Sequence, residues 1–192
     1  MKAFLSRAIQ LQGHLSSNYS TLKHMSGNTE LATFAAGCFW GVEHIFRKHF
    51  GGEGVTAKVG YTGGNTEDPD YRLVCTGTTN HAEAVELTFD PKRTKYETLV
   101  EFFYKMHDPT TANAQGPDVG TQYRSVIFYH SPEQKEIAQR VTDEVQEKHY
   151  KDKKIVTQLV PAGKFYDAEE YHQLYLDKNP TGYECPTHFL RW

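Results

Sequence analysis

Cys38 lies between two glycines and beside two aromatic residues, in the pentapeptide Gly37-Cys38-Phe39-Trp40-Gly41. The run 31–36 before it is short and apolar, as in a buried strand, and apolar residues recur at helical spacing after it. A thiol at this junction faces the free backbone N–H groups of a helix N terminus, which favour the thiolate. The pentapeptide therefore predicts an activated cysteine nucleophile, with Phe39 and Trp40 forming an apolar pocket beside the sulfur.

An ordinary buried cysteine is the alternative interpretation of Cys38, because free cysteine is among the most buried residue types. The flanking glycines favour the functional interpretation, since they permit a tight turn from strand to helix and a close approach of the backbone. The consecutive large rings of Phe39 and Trp40 favour it as well, because both rings cannot face the core from one helix.

A second group of reactive side chains lies in the segment 71–83, which holds a phenol at Tyr71, a thiol at Cys75 and a carboxylate at Glu83. Residues 82–89 alternate as a strand does, and Glu83 falls on its apolar face. A carboxylate in that position lies either at a sheet edge or in the interior with a raised pKa. In the interior it could donate a proton near neutral pH.

Cys185 lies near the C terminus, in a segment that contains glycine and proline. We expect this thiol to be exposed and mobile, and therefore able to reach Cys38. A mobile thiol that meets an oxidised cysteine can resolve it as a disulfide. An incidental surface thiol is the alternative. Cys75, between a valine and a turn, is expected to be inert core.

Two other site chemistries match parts of the sequence. His81-Ala82-Glu83 is half of a zinc deaminase signature, but the P-C-x-x-C half is missing, so we expect no metal site. A papain-type thiol hydrolase would combine Cys38 with His172 and Asn179, at a downstream spacing typical of such enzymes. The local cysteine signature of those hydrolases is absent, and a hydrolase has no use for Cys185.

The elements that must position these residues alternate along the chain. The pattern predicts strand 31–37, helix 38–50, strand 54–61, strand 82–89, helix 94–106, strand 124–130, a helix from Ser131 to 149, strand 155–160 and a last short helix 167–178. Two long loops interrupt them, and the second ends with Tyr123 at the start of a strand. We predict an α+β fold, a two-layer α/β sandwich with a ferredoxin-like βαββαβ core and long site-bearing loops.

Three helix starts carry capping signals. Thr94 with Glu97 and Asp167 with Glu170 have the spacing of a capping box. Ser131 is followed by a proline at the first helical position and a glutamine at the third. We expect each of these residues to cap the helix that follows it.

Length and composition indicate one globular domain. The chain has 192 residues and a net charge of -3 at pH 7, which gives no sign of nucleic-acid binding. No apolar run approaches the ~18–20 residues that a membrane span needs. Three cysteines without a C-x-x-C pair indicate a reducing compartment rather than a disulfide scaffold.

The N-terminal segment differs in charge from the remainder, because three basic residues and no acidic residue precede Glu30. We expect residues 1–29 to be a flexible N-terminal tail or a transit peptide, ahead of a catalytic domain at 30–192. The composition of residues 1–25 is that of a mitochondrial transit peptide, whereas a start at Met25 would give a cytosolic form. A cytoplasmic protein with mitochondrial targeting through this segment is the expectation.

Seven motifs occur in order along the chain: Gly37-Cys38-Phe39-Trp40-Gly41, Gly60-Tyr61-Thr62-Gly63-Gly64, Val74-Cys75-Thr76-Gly77, His81-Ala82-Glu83-Ala84-Val85, His107-Asp108-Pro109-Thr110, Gly120-Thr121-Gln122-Tyr123-Arg124-Ser125 and Tyr171-His172-Gln173-Leu174-Tyr175-Leu176. With them, residues 30–190 resemble the A-type peptide methionine sulfoxide reductases, and most of all the fungal members. The resemblance implies reduction of the S epimer of methionine sulfoxide, free or in proteins, with thioredoxin as reductant. It implies no cofactor, and we expect a monomer that binds neither nucleic acid nor membrane.

The resemblance also assigns roles around the nucleophile. It implies that Cys38 attacks the sulfoxide sulfur, while Phe39 and Trp40 hold the methyl group of the substrate. Asp118 and His172 match positions that line the substrate site in the family.

Further roles concern the oxygen and the recycling of the enzyme. The resemblance implies that Tyr71, Tyr123 and Glu83 bind the sulfoxide oxygen, and that Glu83 is the acid that protonates it. Cys185 matches the recycling cysteine, which resolves the sulfenic acid on Cys38 as a disulfide that thioredoxin then reduces.

Overall fold

The computed structural model describes residues 29–192. The strands are β1 Glu30–Ala36, β2 Thr56–Thr62, β3 Ala82–Phe89, β4 Ala114–Gln115, β5 Asp118–Val119, β6 Ser125–Tyr129, β7 Gln158–Pro161 and β8 Tyr166–Asp167. The α-helices are α1 Phe39–Phe50, α2 Tyr71–Cys75, α3 Tyr96–Met106, α4 Pro132–His149 and α5 Tyr175–Lys178. Within this range no helix combines the length and the apolarity needed to cross a membrane. The N-terminal tail predicted at residues 1–29 lies, apart from its last position, outside the described residues.

Six strands form one sheet in the order β7-β6-β1-β3-β2-β8. All neighbouring strands are antiparallel except β6 and β7, which are parallel. When the short elements are set aside, β1, α1, β2, β3, α3 and β6 follow one another as βαββαβ, the connectivity that the sequence predicts. β1 and β3 lie side by side in the middle of the sheet, so the residues at their ends are enclosed on both sides.

One face of the sheet is covered by α1, α3 and α4, whose apolar side chains share a single buried cluster with alternate strand residues. Phe34 of β1 illustrates this packing, because its ring stacks on Phe46 of α1 at 5.5 Å and on Phe103 of α3 at 5.2 Å between centroids. Burying a side chain of this kind stabilises the fold by roughly 1.5–3 kcal/mol. The opposite face has a smaller cluster that includes Ala35 and Phe128. The predicted two-layer α+β arrangement is confirmed.

One of the three predicted helix caps is present. The hydroxyl of Ser131 accepts the backbone N–H of Gln134 at 3.1 Å, and α4 begins at the proline between them. The cap predicted at Thr94 is wrong. α3 begins only at Tyr96, and the Thr94 hydroxyl instead donates to Glu53 at 2.7 Å. A carboxylate brought near by the fold therefore replaces the local partner that the sequence pattern suggested.

The last helix is also shorter than predicted, since α5 covers only Tyr175–Lys178. Asp167 does not cap it, because this residue lies in β8 and accepts a hydrogen bond from Lys58 of β2 at 2.7 Å. The helix follows Leu174, whose φ of 56° is in the left-handed region. Side-chain contacts with the sheet and with α1 hold this segment, so tertiary contacts override its helical pattern.

Candidate active site

Cys38 and Glu83 lie at the same end of the sheet. Because β1 runs antiparallel to β3, the residues that follow Ala36 come next to the start of β3. Glu83 Oε2 accepts a hydrogen bond at 3.0 Å from the backbone N–H of Phe39, the first residue of α1. The carboxyl group thus satisfies one of the free N–H groups of the helix N terminus, adjacent in sequence to the thiol.

Glu83 is buried, with 1% of its surface exposed, between β1 and β2 rather than at a sheet edge. Burial raises the pKa of its carboxyl group to about 8; the N–H of Phe39 opposes this shift and the charge of Asp118 adds to it. The buried alternative is confirmed and the edge alternative is wrong. Glu83 is therefore mainly protonated at neutral pH and can donate a proton.

Cys38 is buried as well, with 6% of its surface exposed. Burial raises the pKa of its thiol, and the charge of Glu83 adds to this when that carboxyl group is ionised. The backbone N–H groups of Trp40 and Gly41 lower the pKa, but by less. The predicted net stabilisation of the thiolate by the helix N terminus is therefore wrong for the free protein, because desolvation outweighs it. At neutral pH both the thiol and its neighbouring acid carry a proton.

An aromatic cluster follows the thiol in space and sequence, with Phe39 buried in the core (1% exposed) and Trp40 only partly buried; its other members are His172 and Tyr175. The indole of Trp40 stacks on Tyr175 at 3.7 Å between centroids and donates its Nε1–H to His172 Nδ1 at 3.0 Å. Phe39 lies 5.2 Å from His172 and 5.8 Å from Tyr61, again between ring centroids. Since Nδ1 accepts a hydrogen bond, the imidazole is neutral with its proton on Nε2, and burial lowers its pKa accordingly. The indole is therefore held in one orientation.

Tyr71, the first residue of α2, and Tyr123, which ends a short helical turn before β6, both lie within the electrostatic influence of Glu83. Burial raises the pKa of both phenols, and the charge of Glu83 raises it further in each case. Both hydroxyl groups are thus protonated and can donate hydrogen bonds. The ring of Tyr71 also packs on His172 at 4.5 Å between centroids, which links it to the aromatic cluster.

Glu169 belongs to the same environment, although sequence reasoning missed it. It accepts hydrogen bonds from the Tyr61 hydroxyl and from the backbone N–H of Tyr71, each at 2.9 Å, and its Oε2 lies 3.9 Å from His172 Nε2. Burial acts to raise the pKa of this carboxyl group, but these hydrogen bonds outweigh it and lower the pKa. Glu169 precedes another glutamate, and no local pattern distinguishes the two.

Cys185 is not exposed, contrary to the prediction, since only 1% of its surface is accessible. Its thiol contacts the carbonyl oxygen of Gln115 at 3.7 Å. Three residues later, His188 Nε2 donates to the carbonyl of Ala36 at 2.7 Å, and a methyl group added at Gly41 would collide with the His188 ring. The C-terminal segment therefore packs directly on the turn that carries Cys38, which explains both the burial and the need for glycine.

Asp118 lies near both Cys38 and Cys185. Burial raises the pKa of Cys38 and of Cys185, and the charge of Asp118 adds to the shift in each case. Its Oδ1 accepts a hydrogen bond at 3.0 Å from the hydroxyl of Tyr183.

The remaining cysteine, Cys75, is exposed, so the prediction that it is inert core is wrong. It ends α2, which lies on the surface and buries only its valine.

Two alternatives can be compared with this geometry. Across residues 29–192 no cluster of three histidine, cysteine or acidic side chains is arranged to hold a metal ion. A hydrolase triad is not assembled either, because His172 Nδ1 is bonded to Trp40 while the exposed Asn179 donates to the carbonyl of Tyr175. The geometry instead joins a buried thiol, a neutral acid, two phenols and an aromatic cluster.

The chain is similar in sequence to proteins of a known family. Residues 30–190 match the family described as peptide methionine sulfoxide reductase. The probable peptide methionine sulfoxide reductase of Schizosaccharomyces pombe is 61% identical over 165 residues, which are 85% of this chain and 97% of that protein.

Solved structures agree with this match. The crystal structure of Mxr1 from Saccharomyces cerevisiae in reduced form superposes with a TM-score of 0.81 at 47% identity, covering 85% of this chain and 93% of that chain. Mxr1 in complex with Trx2 superposes with a TM-score of 0.59 at 30% identity, covering 88% and 97%. The chain belongs to the peptide methionine sulfoxide reductase family.

Proposed function

We propose that this enzyme repairs oxidative damage by reducing the S epimer of methionine sulfoxide, free or in proteins, to methionine. The observation that carries the proposal is the buried, protonated Glu83, bonded to the N–H of the residue that follows Cys38. A sulfoxide sulfur becomes electrophilic when its oxygen gains a proton. A neutral acid beside a thiol supplies what this reaction needs.

In the proposed first step, Cys38 attacks the sulfoxide sulfur while Glu83 protonates the oxygen, and the thiol proton then replaces the one that Glu83 gave up. The protonated oxygen then forms a bond to the Cys38 sulfur, while the sulfur–oxygen bond of the substrate and the transient bond between the two sulfurs break, which leaves Cys38 as a sulfenic acid. The substrate sulfur gains two electrons and the Cys38 sulfur loses two, so no other reductant enters this step. Methionine then leaves.

Recognition of the sulfoxide is assigned to the surrounding side chains. Phe39 and Trp40 hold the methyl group, while the phenols of Tyr71 and Tyr123 donate to the oxygen. Because the donors and the apolar pocket are fixed relative to Cys38, the three substituents of the sulfur fit in only one arrangement, which selects one epimer. Asp118 and His172 act by fixing this environment, the latter through its bond with the indole.

The chemistry of the proposal can be tested directly. We expect the purified protein to convert the S epimer of methionine sulfoxide to methionine and to leave the R epimer unchanged, with loss of two thiols per methionine formed. The measurement follows both epimers, free and in a peptide, with dithiothreitol as reductant. Formation of no methionine, or turnover without loss of thiols, would rule out the proposed reaction.

Recycling is assigned to Cys185, which attacks the Cys38 sulfenic acid and releases water as the disulfide forms. Since the Cys185 thiol is buried against Gln115, its segment has to leave this position before the disulfide can form. The complex of the relative Mxr1 with Trx2 supports thioredoxin as the reductant of that disulfide in this enzyme as well.

A Cys185→Ser variant separates the two steps. We expect one methionine per enzyme with thioredoxin as the only reductant, because the sulfenic acid forms but has no thiol with which to condense. The amount of methionine formed in a burst experiment measures this directly. Several thioredoxin-driven turnovers in this variant would exclude Cys185 from recycling, and wild-type enzyme under the same conditions provides the comparison.

The location of the enzyme is part of the proposal. The three cysteines suit a reducing compartment, which supports the cytoplasm. The acid-free residues 1–25 support an additional mitochondrial form. A reporter fused to residues 1–25 that stays diffuse in the cytosol would contradict the targeting role.

A further inference from the structure

The indole of Trp40 is oriented by a short segment, 172–175, that is distant in sequence. His172 accepts its N–H at 3.0 Å and Tyr175 stacks on its ring at 3.7 Å. Both contacts depend on where this segment lies relative to α1. A shift of about 1 Å in a group that orients the substrate can cost a factor of about 100 in rate.

A buried carboxyl group gives the segment a further attachment to α1, beside the contacts of Trp40 and the ion pair between Arg47 of α1 and Asp177 of α5. The backbone N–H of Leu174, between the two residues that contact Trp40, donates to Glu43 Oε2 at 2.9 Å. Glu43 has 2% of its surface exposed, and within residues 29–192 its Oε1 has no hydrogen-bond partner. The steps proposed above do not use this acid, although it is buried at a cost in solvation.

The backbone at the attachment point is strained. Leu174 has a φ of 56°, a left-handed conformation that a leucine adopts only when its surroundings hold it there. Gln173 fixes the segment to the sheet through hydrogen bonds with the backbone of Val59 at 3.0 and 2.9 Å. The bond with Glu43 is the corresponding attachment to the helix.

Glu43 follows Trp40 by three positions in α1, so the two side chains lie one turn apart on the same side of the helix. The segment 172–175 consequently contacts both residues at once. Loosening one contact changes the other, since Leu174 lies between His172 and Tyr175 in the chain.

We propose that Glu43 is a positioning residue, which fixes the Trp40 indole by anchoring the segment 172–175 to α1 through the N–H of Leu174. The inference rests on the proposed function, in which Trp40 holds the methyl group of the sulfoxide. Burial raises the pKa of Glu43 to about 7, with the Leu174 N–H, Arg47 and Lys178 opposing the shift and Asp177 adding to it. Glu43 Oε2 accepts the hydrogen bond in either charge state, so the length of the side chain, rather than its charge, decides the anchoring.

Two variants of Glu43 separate the effect of side-chain length from the effect of charge. Glu43→Gln keeps the length and an acceptor oxygen but removes the charge, whereas Glu43→Asp keeps the charge and is one methylene too short. We expect Glu43→Asp to raise KM for methionine sulfoxide about tenfold with a smaller change in kcat, as for a weakened binding pocket. Glu43→Gln is expected to stay within about twofold of wild type. A Gln variant as impaired as the Asp variant would overturn the proposal, as would KM values equal to wild type in both variants together with unchanged quenching of Trp40 fluorescence.

A readout that does not depend on the reaction distinguishes this inference from the proposed function. In a Trp192→Phe background Trp40 is the sole tryptophan, and we expect Glu43→Asp to increase quenching of its fluorescence by acrylamide. Unchanged quenching would overturn the anchoring, whatever the activity. Increased quenching with no change in KM would uphold the anchoring and contradict the role of Trp40 in binding.

Stability has to be controlled for. Val141→Ala creates a cavity under α4, in the same core but away from the segment, and is expected to lower the melting temperature without changing Trp40 quenching. If Glu43→Asp does not fold, amide hydrogen exchange of wild-type Leu174 decides the question. A slowly exchanging N–H supports the bond with Glu43, and exchange at the rate of an open loop overturns it.

Discussion

A Cys38→Ser variant is expected to form no methionine from methionine sulfoxide, a loss of at least about 10⁴-fold in rate. The reason lies in what the proposed step demands of the atom at this position. It must attack the sulfoxide sulfur and then carry the oxygen while losing two electrons, which a thiol can do by becoming a sulfenic acid. A serine hydroxyl has no corresponding oxidised state, so not even one turnover is expected.

The measurement is methionine formation in a single turnover, with enzyme in excess and dithiothreitol present. Cys75→Ser is the matched control, because it makes the same change at an exposed thiol that takes up no oxygen in the proposed chemistry. Cys75 contacts the phenol of Tyr71, and a serine hydroxyl can keep this contact, so we expect activity close to that of wild type. Thermal unfolding of the two variants tests whether both fold. Methionine formation by the Cys38 variant at a rate near that of the control would remove Cys38 from the reaction.

The fold could be predicted from sequence wherever the pattern of apolar residues matches the local structure. β3 was predicted with its observed bounds, because its residues alternate and both faces are covered. α4 was predicted because Ser131 and the following proline form a local capping signal. The cap predicted at Thr94 is wrong because the Thr94 hydroxyl donates to the carboxylate of Glu53, 41 positions away. Such a competing partner is created only by folding.

The residues of the candidate site likewise divide into those that local sequence distinguishes and those that only the fold brings into place. Cys38 and Glu83 could each be singled out because each differs from its own neighbours, one between glycines and the other on an apolar strand face. Only the resemblance to the family placed the two in one site. Glu169 and Tyr175 acquire their positions from contacts with residues about a hundred or more positions away, such as the indole of Trp40. Nothing in their immediate neighbours distinguishes them.

Cys185 was mispredicted for a related reason. Glycine and proline in its segment indicate irregular backbone, and irregular backbone is usually exposed. Here the segment packs on Gly41, whose missing side chain leaves room for the ring of His188. Burial of Cys185 therefore depends on a complementary surface in another part of the chain. The thiol that we propose for recycling is therefore shielded from solvent in this conformation.

The protonation of Cys38 and Glu83 is set by one physical cause. Burial disfavours the charge on either group, so the free protein holds a neutral thiol beside a neutral carboxyl group. The sulfoxide reaction moves one proton from the thiol and one to the substrate oxygen, so the pair as a whole keeps its charge. A dry site suits this exchange, because no uncompensated charge has to be stabilised.

Glu83→Gln is therefore expected to slow the chemical step by about 10²–10⁴-fold, the usual contribution of a general acid. Burial raises the pKa of the wild-type Glu83 carboxyl group to about 8, so this group holds its proton below pH 8 and loses it as the pH rises through that value. The wild-type single-turnover rate should contain a decline near pH 8, and the variant should lack this decline because glutamine does not titrate. Rates of methionine formation between pH 6 and about 9.5 measure both effects.

Two controls separate the acid from other roles of Glu83. Glu86→Gln removes a carboxylate from the same strand, where it pairs with Lys58 at 3.2 Å, and should keep the wild-type pH profile. Alkylation of Cys38 by iodoacetamide should be no slower in Glu83→Gln, since glutamine cannot ionise and so never adds the negative charge that opposes the thiolate. A Glu83→Gln enzyme with the wild-type rate, or one that keeps the decline near pH 8, would show that the proton comes from another group. Loss of methionine formation with normal alkylation would assign the defect to proton donation, because the nucleophile is then intact and only the oxygen lacks its acid.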